Sequence, residues 1–242
     1  MSRDPLISIV IPTLNERGYL ERTIRSALQN AQNSKLLEII VVDAGSDDGT
    51  LESVEHLPCQ TFRKPDFRFK KYLSLNFGLD QSRGSFVIFL DADTELPKGY
   101  DGLVRQTLQQ GFKAGAFELT FARRHFLLGV LTFFNRIRYR FDQNFFGDQA
   151  IFCQRDFAKH VGGFPVSDLM EAALFCQRIR KYGGRLHLVD EPVKTSSRRF
   201  DEHGFWRVFW FDLGIILRFS LRRKFAHLGK GYWSGEVFRR TI

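Results

Sequence analysis

A short apolar run that ends in two carboxylates constrains this chain more than any other stretch. Residues 86–90 are apolar, and Asp91 and Asp93 follow with one small residue between them. A run this short, preceded by Gly84 and Ser85, predicts a β-strand buried on both faces. Alternate residues of an extended chain point the same way, so both carboxylates can face one site. Their mutual repulsion favours a bound Mg²⁺ or Mn²⁺, and an Asp-rich turn is the alternative.

Strand and helix patterns alternate through the first part of the chain. Apolar runs over residues 7–11 and 37–42 predict two further buried strands, and residues 18–30 between them have helical spacing. Pro12 is expected to end the first strand, because proline cannot donate to a central ladder. The alternation predicts an α/β fold with a mostly parallel sheet and helices on both faces.

Each predicted strand is followed by polar residues that could bind a ligand. Asn15 and Glu16 come after the first strand, and Asp43 comes directly after the second. Ligands of such sheets bind beyond the carboxyl ends of the strands. We therefore expect these residues to meet Asp91 and Asp93 at one edge, and solubility alone does not explain that convergence.

Two aromatic helices are predicted in the second half, over residues 125–141 and 204–221. Their apolar residues recur at helical spacing, so the simplest expectation is that these stripes face the core. Arginines at their edges make a membrane surface the alternative. On the first helix the apolar positions are Phe126, Val130, Phe133, Ile137 and Phe141.

The charge of the chain calls for an anionic partner. Its formal net charge is +9, which nucleotide phosphates, an anionic membrane surface or nucleic acid could balance. The basic residues are dispersed and acidic clusters lie at the inferred site, so we expect no nucleic acid partner. The three cysteines, Cys59, Cys153 and Cys176, are far apart and indicate reduced thiols in a cytoplasmic protein.

Several separated motifs resemble a known family, the inverting family-2 glycosyltransferases of the GT-A fold. Residues 9–16 resemble its opening strand, residues 41–50 its second-strand signature, and residues 90–93 its metal-binding DxD motif. Residues 147–149 and 162–171 are similar to a subgroup of short, stand-alone bacterial enzymes.

The resemblance implies one GT-A domain over residues 1–242. Its nucleotide-binding half would span about residues 5–95 and its acceptor half about residues 96–200, with a C-terminal helical segment over about residues 201–242. The enzyme would transfer a hexose or other sugar, with inversion, from a nucleoside-diphosphate sugar of the UDP or GDP type to a hydroxyl acceptor. Lipid-linked acceptors are among the candidates, which would place the protein on the inner face of the membrane.

The resemblance also implies roles for individual residues. The nucleotide would contact Pro12, Asn15, Glu16, Asp43, Lys71 and Asp91. Asp93 and Asp91 would bind Mn²⁺ or Mg²⁺. Asp148 and Gln149 would face the acceptor, and His203 lies near the place where related enzymes close over the diphosphate. Independently of the resemblance, the guanidinium groups of Arg198 and Arg199 are suited to bind phosphate oxygens, with a solvated charge run as the alternative.

One departure from the family pattern concerns the catalytic base. The family has an acidic pair whose second member, an Asp, is the usual base, and here the pair reads Glu171-Ala172. Three explanations are open: Ala172 is an engineered inactivating change, Glu171 or Asp148 acts as base, or the protein binds nucleotide sugars without catalysis. A nucleotidyltransferase is a further alternative, although residues 12–16 lack the Gly-rich phosphate loop that such enzymes usually have.

Overall fold

A single mixed sheet forms the centre of the molecule. The computed structural model describes residues 6–123 and 125–221. Within them the strands are β1 (Ile7–Thr13), β2 (Leu37–Asp43), β3 (Gln60–Arg63), β4 (Phe86–Phe89), β5 (Thr94–Glu95), β6 (Ala114–Phe121), β7 (Phe152–Gln154) and β8 (Leu186–Thr195). They are ordered β3-β2-β1-β4-β7-β6-β8-β5.

The helices follow the order that the sequence pattern predicts, with additions. They are α1 (Leu20–Asn30), α2 (Lys71–Gln81), α3 (Tyr100–Gln109), α4 (Phe126–Asp142), α5 (Arg155–His160), α6 (Glu171–Lys181), α7 (Arg198–His203) and α8 (Phe205–Ser220). The predicted C-terminal segment, about residues 201–242, thus begins within α7 and contains α8. Its remainder, with the basic residues Arg222, Arg223 and Lys224, lies outside the described residues.

The mostly parallel α/β architecture is confirmed. β1 pairs in parallel with β2 and β4, and β2 pairs in parallel with β3. β7 then runs antiparallel to both β4 and β6, while β8 returns parallel to β6 and pairs antiparallel with β5. The carboxyl ends of β1, β2 and β4 therefore lie at one edge.

Pro12 does not end the first strand, contrary to the prediction. β1 continues to Thr13, and Pro12 pairs in register with Val42. The carbonyl of Val10 accepts a hydrogen bond from the amide of Leu90 at 2.9 Å, so the backbone of Val10 faces β4. Alternate residues of a strand point the same way, so the nitrogen of Pro12 faces the β4 side as well. β4 has already ended there, so the N–H that proline lacks has no strand to pair with.

Two apolar clusters cover the two faces of the sheet. Ile9 and Ile11 of β1 face the cluster to which α1 and α3 contribute, whereas Val10 faces the cluster formed with α2, α5 and α6. Helix α3 is absent from the sequence prediction, although Tyr100, Val104 and Leu108 recur at helical spacing. The Tyr100 hydroxyl donates to the carbonyl of Ala27 at 2.8 Å and joins α3 to α1.

The apolar stripe of α4 faces outward, so the simplest expectation, that it lies in the core, is wrong. Phe126 is 82% exposed, Phe133 60% and Phe141 86%. The helix instead buries Leu128 and Tyr139, which lie on its other side. None of the helices within residues 6–123 and 125–221 has the length and apolarity that crossing a bilayer requires.

Candidate active site

The loop after β2 is folded around the carboxylate of Asp43. This side chain is fully buried and accepts hydrogen bonds from the amides of Gly45 at 3.2 Å and Ser46 at 3.1 Å. The Ser46 hydroxyl donates to Asp43 and accepts from the amide of Asn15 at 2.8 Å. The side-chain oxygen of Asn15, a residue with a φ of 57°, accepts a hydrogen bond from the amide of Asp47 at 3.0 Å. The loops after β1 and β2 are thus joined into one wall.

Glu16 extends this wall toward the C-terminal part of the chain. Its amide donates to the hydroxyl of Thr50 at 2.9 Å. Its two carboxylate oxygens accept from the guanidinium of Arg198 at 2.9 and 3.0 Å, a bidentate ion pair. Arg198 also lies 4.7 Å from the ring centre of Tyr19. The first residue of α7 is therefore placed at the carboxyl edge of the sheet.

Asp91 is held by a lysine at the start of α2 whose side chain is 16% exposed. The ammonium of Lys71 lies 2.6 Å from Asp91 Oδ1 and 3.9 Å from Glu171 Oε1. Burial acts to lower the pKa of Lys71, but the charges of Asp91 and Glu171 outweigh it and raise that pKa. Lys71 is therefore a permanent positive charge in the site.

Asp93 lies in a region crowded with negative charge. Burial, together with the charges of Asp91 and Glu16, raises the pKa of Asp93 to about 6. The guanidinium of Arg198 is close by, with Nη2 3.9 Å from Asp93 Oδ2. A divalent cation at Asp91 and Asp93 would relieve this repulsion.

The two aspartates fit a metal that is shared with a substrate. Within residues 6–123 and 125–221, no group of three or more His, Cys, Asp or Glu side chains is arranged to hold a metal ion. Mg²⁺ sites commonly use one or two carboxylates and complete the shell with water and substrate phosphates. The oxygen ligands also suit Mn²⁺.

The turn that carries Asp148 closes over Asp91 and Lys71. A Cβ on Gly147 would lie 2.9 Å from Lys71 Nζ and 3.4 Å from Asp91 Oδ2, so a larger residue would displace the lysine. Asp148 Oδ1 is shielded from solvent and has no hydrogen-bond partner. Burial, reinforced by the charge of Asp91, raises the pKa of Asp148 to about 7.

The two residues at the start of α6 differ in their surroundings. Glu171 is buried near Lys71, and burial raises the pKa of its carboxyl group. Ala172 is 3% exposed and belongs to the apolar cluster that also contains Phe89 and Phe175. A carboxylate at position 172 would therefore be surrounded by apolar side chains unless the site rearranges.

Three further residues that the sequence analysis selected, Gln149, Arg199 and His203, remain to be placed. Gln149 is fully buried, and its side chain donates to the carbonyl of Phe117 at 3.0 Å and accepts from the amide of Phe146 at 3.0 Å. Arg199 binds Asp212 of α8, and His203 lies at the end of α7. The hydroxyls of Ser46 and Thr50, and the ring of Tyr19, are site components that the sequence analysis missed. These three residues lie in or beside the loops that carry the motifs, and this position in the sequence is the signal that could have identified them.

Comparison with known proteins decides the family. Residues 8–157 match the sequence profile of glycosyl transferase family 2, which is more than half of the chain. The chain belongs to this family. The resemblance seen in its motifs is thereby confirmed.

Curated relatives match over part of their length. A GalNAc(5)-diNAcBac-PP-undecaprenol beta-1,3-glucosyltransferase of Campylobacter jejuni is 39% identical over 118 residues, which is 45% of this chain and 36% of that protein. The teichuronic acid biosynthesis glycosyltransferase TuaG of Bacillus subtilis, whose assignment is provisional, is 34% identical over 125 residues, or 48% of this chain and 46% of that protein. The match thus spans less than half of either relative.

Solved structures share the fold at low identity. The mannosyltransferase PcManGT from Pyrobaculum calidifontis, in complex with GDP-Man and Mn²⁺, has a TM-score of 0.68 at 21% identity, over 86% of this chain and 61% of that one. TarS 1-349 of S. aureus, in complex with UDP, has a TM-score of 0.61 at 17% identity, over 84% of this chain and 63% of that one. These similarities confirm the GT-A fold.

Proposed function

We propose that this family-2 glycosyltransferase moves a sugar, a hexose in the simplest case, from a nucleoside-diphosphate sugar to a hydroxyl acceptor, with inversion and with Mn²⁺ or Mg²⁺. The observation that carries the proposal is the convergence of Glu16, Asp43, Asp91 and Asp93 with the cations Lys71 and Arg198 at one sheet edge. The GDP-Man and Mn²⁺ bound by PcManGT, and the UDP bound by TarS, support a donor of this type.

The donor half, about residues 5–95, would hold the nucleotide. Asp43, fixed by its own loop, would line the base pocket with Pro12 and Asn15. A divalent cation at Asp91 and Asp93 would neutralise charge on the leaving diphosphate. Lys71 would add a fixed positive charge beside it.

The acceptor half, about residues 96–200, would supply the proton acceptor. An incoming hydroxyl needs a base within hydrogen-bond reach. We assign this role to Asp148, because its Oδ1 has no partner and its pKa is raised to about 7. The acceptor oxygen bonds to the anomeric carbon, the bond from that carbon to the diphosphate oxygen breaks, and the hydroxyl proton passes to Asp148. Attack opposite the leaving group inverts the anomeric centre.

Glu171 is the second candidate for the base, and its position near Lys71 favours it. An inactive chain that lacks a base at Ala172, whether a variant or a natural binder of nucleotide sugars, is the alternative function. The acceptor named for the Campylobacter jejuni relative is lipid-linked, which supports the same acceptor class here. A cytoplasmic location at the inner face of the membrane would suit that class.

The test is release of nucleoside diphosphate from UDP- and GDP-sugars, with candidate acceptors and with or without Mn²⁺. Metal-dependent release that requires an acceptor supports transfer. Release of free pyrophosphate from a nucleoside triphosphate would identify a nucleotidyltransferase instead. Donor binding without turnover, for every acceptor and for the Asp148 and Ala172 variants described below, would identify a binder.

A further inference from the structure

Two helices present apolar side chains to solvent along their whole length. The α4 stripe consists of Phe126, Val130, Phe133, Phe134, Ile137 and Phe141, which are between 38% and 86% exposed. The α8 stripe consists of Trp206, Trp210, Leu217 and, directly after the helix, Leu221, which are between 54% and 65% exposed. Contiguous exposed apolar surface of this kind marks an interaction site.

The two stripes begin close to each other. The ring of Phe121, just before α4, lies 5.4 Å from Phe200 of α7, and Phe200 lies 5.7 Å from Phe205, the first residue of α8. An ion pair between Arg123 and Asp201, at 2.5 Å, ties the same two regions. The α4 and α8 stripes thus extend from one neighbourhood of the molecule.

We propose that the α4 and α8 stripes dock the protein onto an anionic lipid bilayer. Helices that lie in a membrane interface combine an apolar face containing Trp and Phe with basic residues beside it. Helix α8 carries two arginines and one aspartate, whereas the three arginines of α4 form ion pairs with Glu118, Asp142 and Asp190. The excess positive charge complements acidic lipid headgroups.

A second copy of the chain fits these stripes less well. In a symmetric dimer the same patch meets itself, so the excess positive charge of α8 would meet the same excess on the second copy. Like charges held together at an interface oppose association. A bilayer presents the opposite charge.

The stripes are joined to the active site by short connections. Helix α4 ends at Asp142, a few residues before the turn that holds Asp148. On the other side, Arg199 of α7 binds Asp212 of α8, while the adjacent Arg198 binds Glu16. Docking through these helices would therefore hold the site next to the lipid headgroups.

The test is co-sedimentation with vesicles of phosphatidylcholine, with and without phosphatidylglycerol. We expect binding to the anionic vesicles that weakens when salt is raised from 0.1 to 1 M, since the Debye length falls from about 10 to 3 Å. The double variant Phe133→Ser, Phe134→Ser and the single variant Trp210→Ser should each bind at least about tenfold more weakly. Val166→Ser is the control, because Val166 is 82% exposed but lies outside both stripes.

Circular dichroism and thermal unfolding establish that each variant is folded, and the two helices give independent variants. Undiminished vesicle binding by both stripe variants would overturn the proposal, as would equal recovery in the supernatant with and without anionic lipid. A dimer that these variants dissociate, combined with no vesicle binding, would overturn it in favour of a second copy. Diphosphate release with a water-soluble acceptor should be unchanged in the stripe variants, which separates this test from that of the proposed function.

Discussion

The proposed donor edge and the proposed acceptor side of this site differ in how completely their carboxylates are hydrogen-bonded within the protein. At the donor edge Asp43, Glu16 and Asp91 each bind groups of the protein: loop amides, a guanidinium and an ammonium. On the acceptor side Asp148 Oδ1 has no partner and is shielded from water. A buried oxygen that accepts no hydrogen bond destabilises the folded protein by about 1–3 kcal/mol, and a hydrogen bond from a bound hydroxyl would remove this penalty. The carboxylates of the proposed donor edge are thus already bound within the protein, whereas Asp148 keeps one oxygen without a partner.

Replacing Asp148 should produce the largest change in turnover and thereby tests this contrast. Asp148→Asn keeps the shape of the side chain but removes the proposed base, so we expect kcat to fall by about 10²- to 10⁴-fold with donor affinity nearly unchanged. Single-turnover kinetics and calorimetry measure the two quantities. Glu171→Gln is the matched variant, and a larger loss there than in Asp148→Asn would assign the base to Glu171.

Ala172→Asp tests the assignment of the base by adding a carboxylate at position 172 instead of removing one. Because Ala172 lies among apolar side chains, we expect no gain in turnover and a lower free energy of unfolding. Thermal unfolding and diphosphate release are the measurements. A gain of about 10²-fold or more would show that a proton acceptor is missing from this chain.

Asp93→Ala removes one of the two carboxylates that we propose as metal ligands. For Asp93→Ala we expect about a 10²- to 10³-fold loss of turnover and loss of the dependence of donor binding on Mn²⁺. Asp156→Ala is the control, since that carboxylate is 91% exposed and outside the site. Metal-dependent binding that survives in Asp93→Ala would remove Asp93 from the metal site.

A similar contrast separates buried from exposed aromatic residues. Phe117 is fully buried on β6, so Phe117→Ala should lower the free energy of unfolding by about 3–5 kcal/mol. Phe133→Ala, at a side chain that is 60% exposed, should change it by less than about 0.5 kcal/mol. Chemical denaturation measures both. A large loss for Phe133→Ala would mean that the α4 stripe is covered in the free protein.

The smallest expected effect is a dependence of folding stability and of Mn²⁺ affinity on pH. The pKa of Asp93 is raised in the folded chain to about 6, from 3.8, so without metal the folded state holds this proton more tightly than the unfolded state. Its contribution to stability is full below pH 3.8 and is lost as the pH rises through about 6. Mn²⁺ affinity should run the other way and fall below about pH 6, where Asp93 is protonated. Calorimetric titrations at pH 5 and 7.5 test this, and equal affinities would contradict it.

The sequence predicts that the carboxyl ends of β1, β2 and β4 meet at one edge of the sheet, because its signals there are local. Apolar runs followed by acidic residues locate β1, β2 and β4, and parallel pairing brings their ends together. Pro12 was misplaced because its effect depends on where the neighbouring strand ends, which sequence does not show. The short strand β5 and the helix α7 were missed, since neither has a periodic apolar pattern long enough to detect.

The faces of the helices show a further limit of sequence patterns. Helix α1 and helix α4 have comparable helical spacing, yet α1 buries Leu20, Ile24 and Ala27 while α4 exposes its stripe. Periodicity identifies an amphipathic helix but not the partner of its apolar face. Similarly, no pattern in the sequence predicts that Arg198 reaches Glu16, because that contact joins residues 182 positions apart.

Calorimetric titration of the protein with UDP and GDP, with and without Mn²⁺, tests the central claim most directly. It examines the donor edge without requiring knowledge of the acceptor. We predict that one of the two nucleotides binds in the presence of Mn²⁺, and that binding is greatly weakened without the metal or in Asp93→Ala. Binding that is indifferent to Mn²⁺, or the absence of binding to either nucleotide, would contradict the assignment of this edge as a metal-dependent donor site.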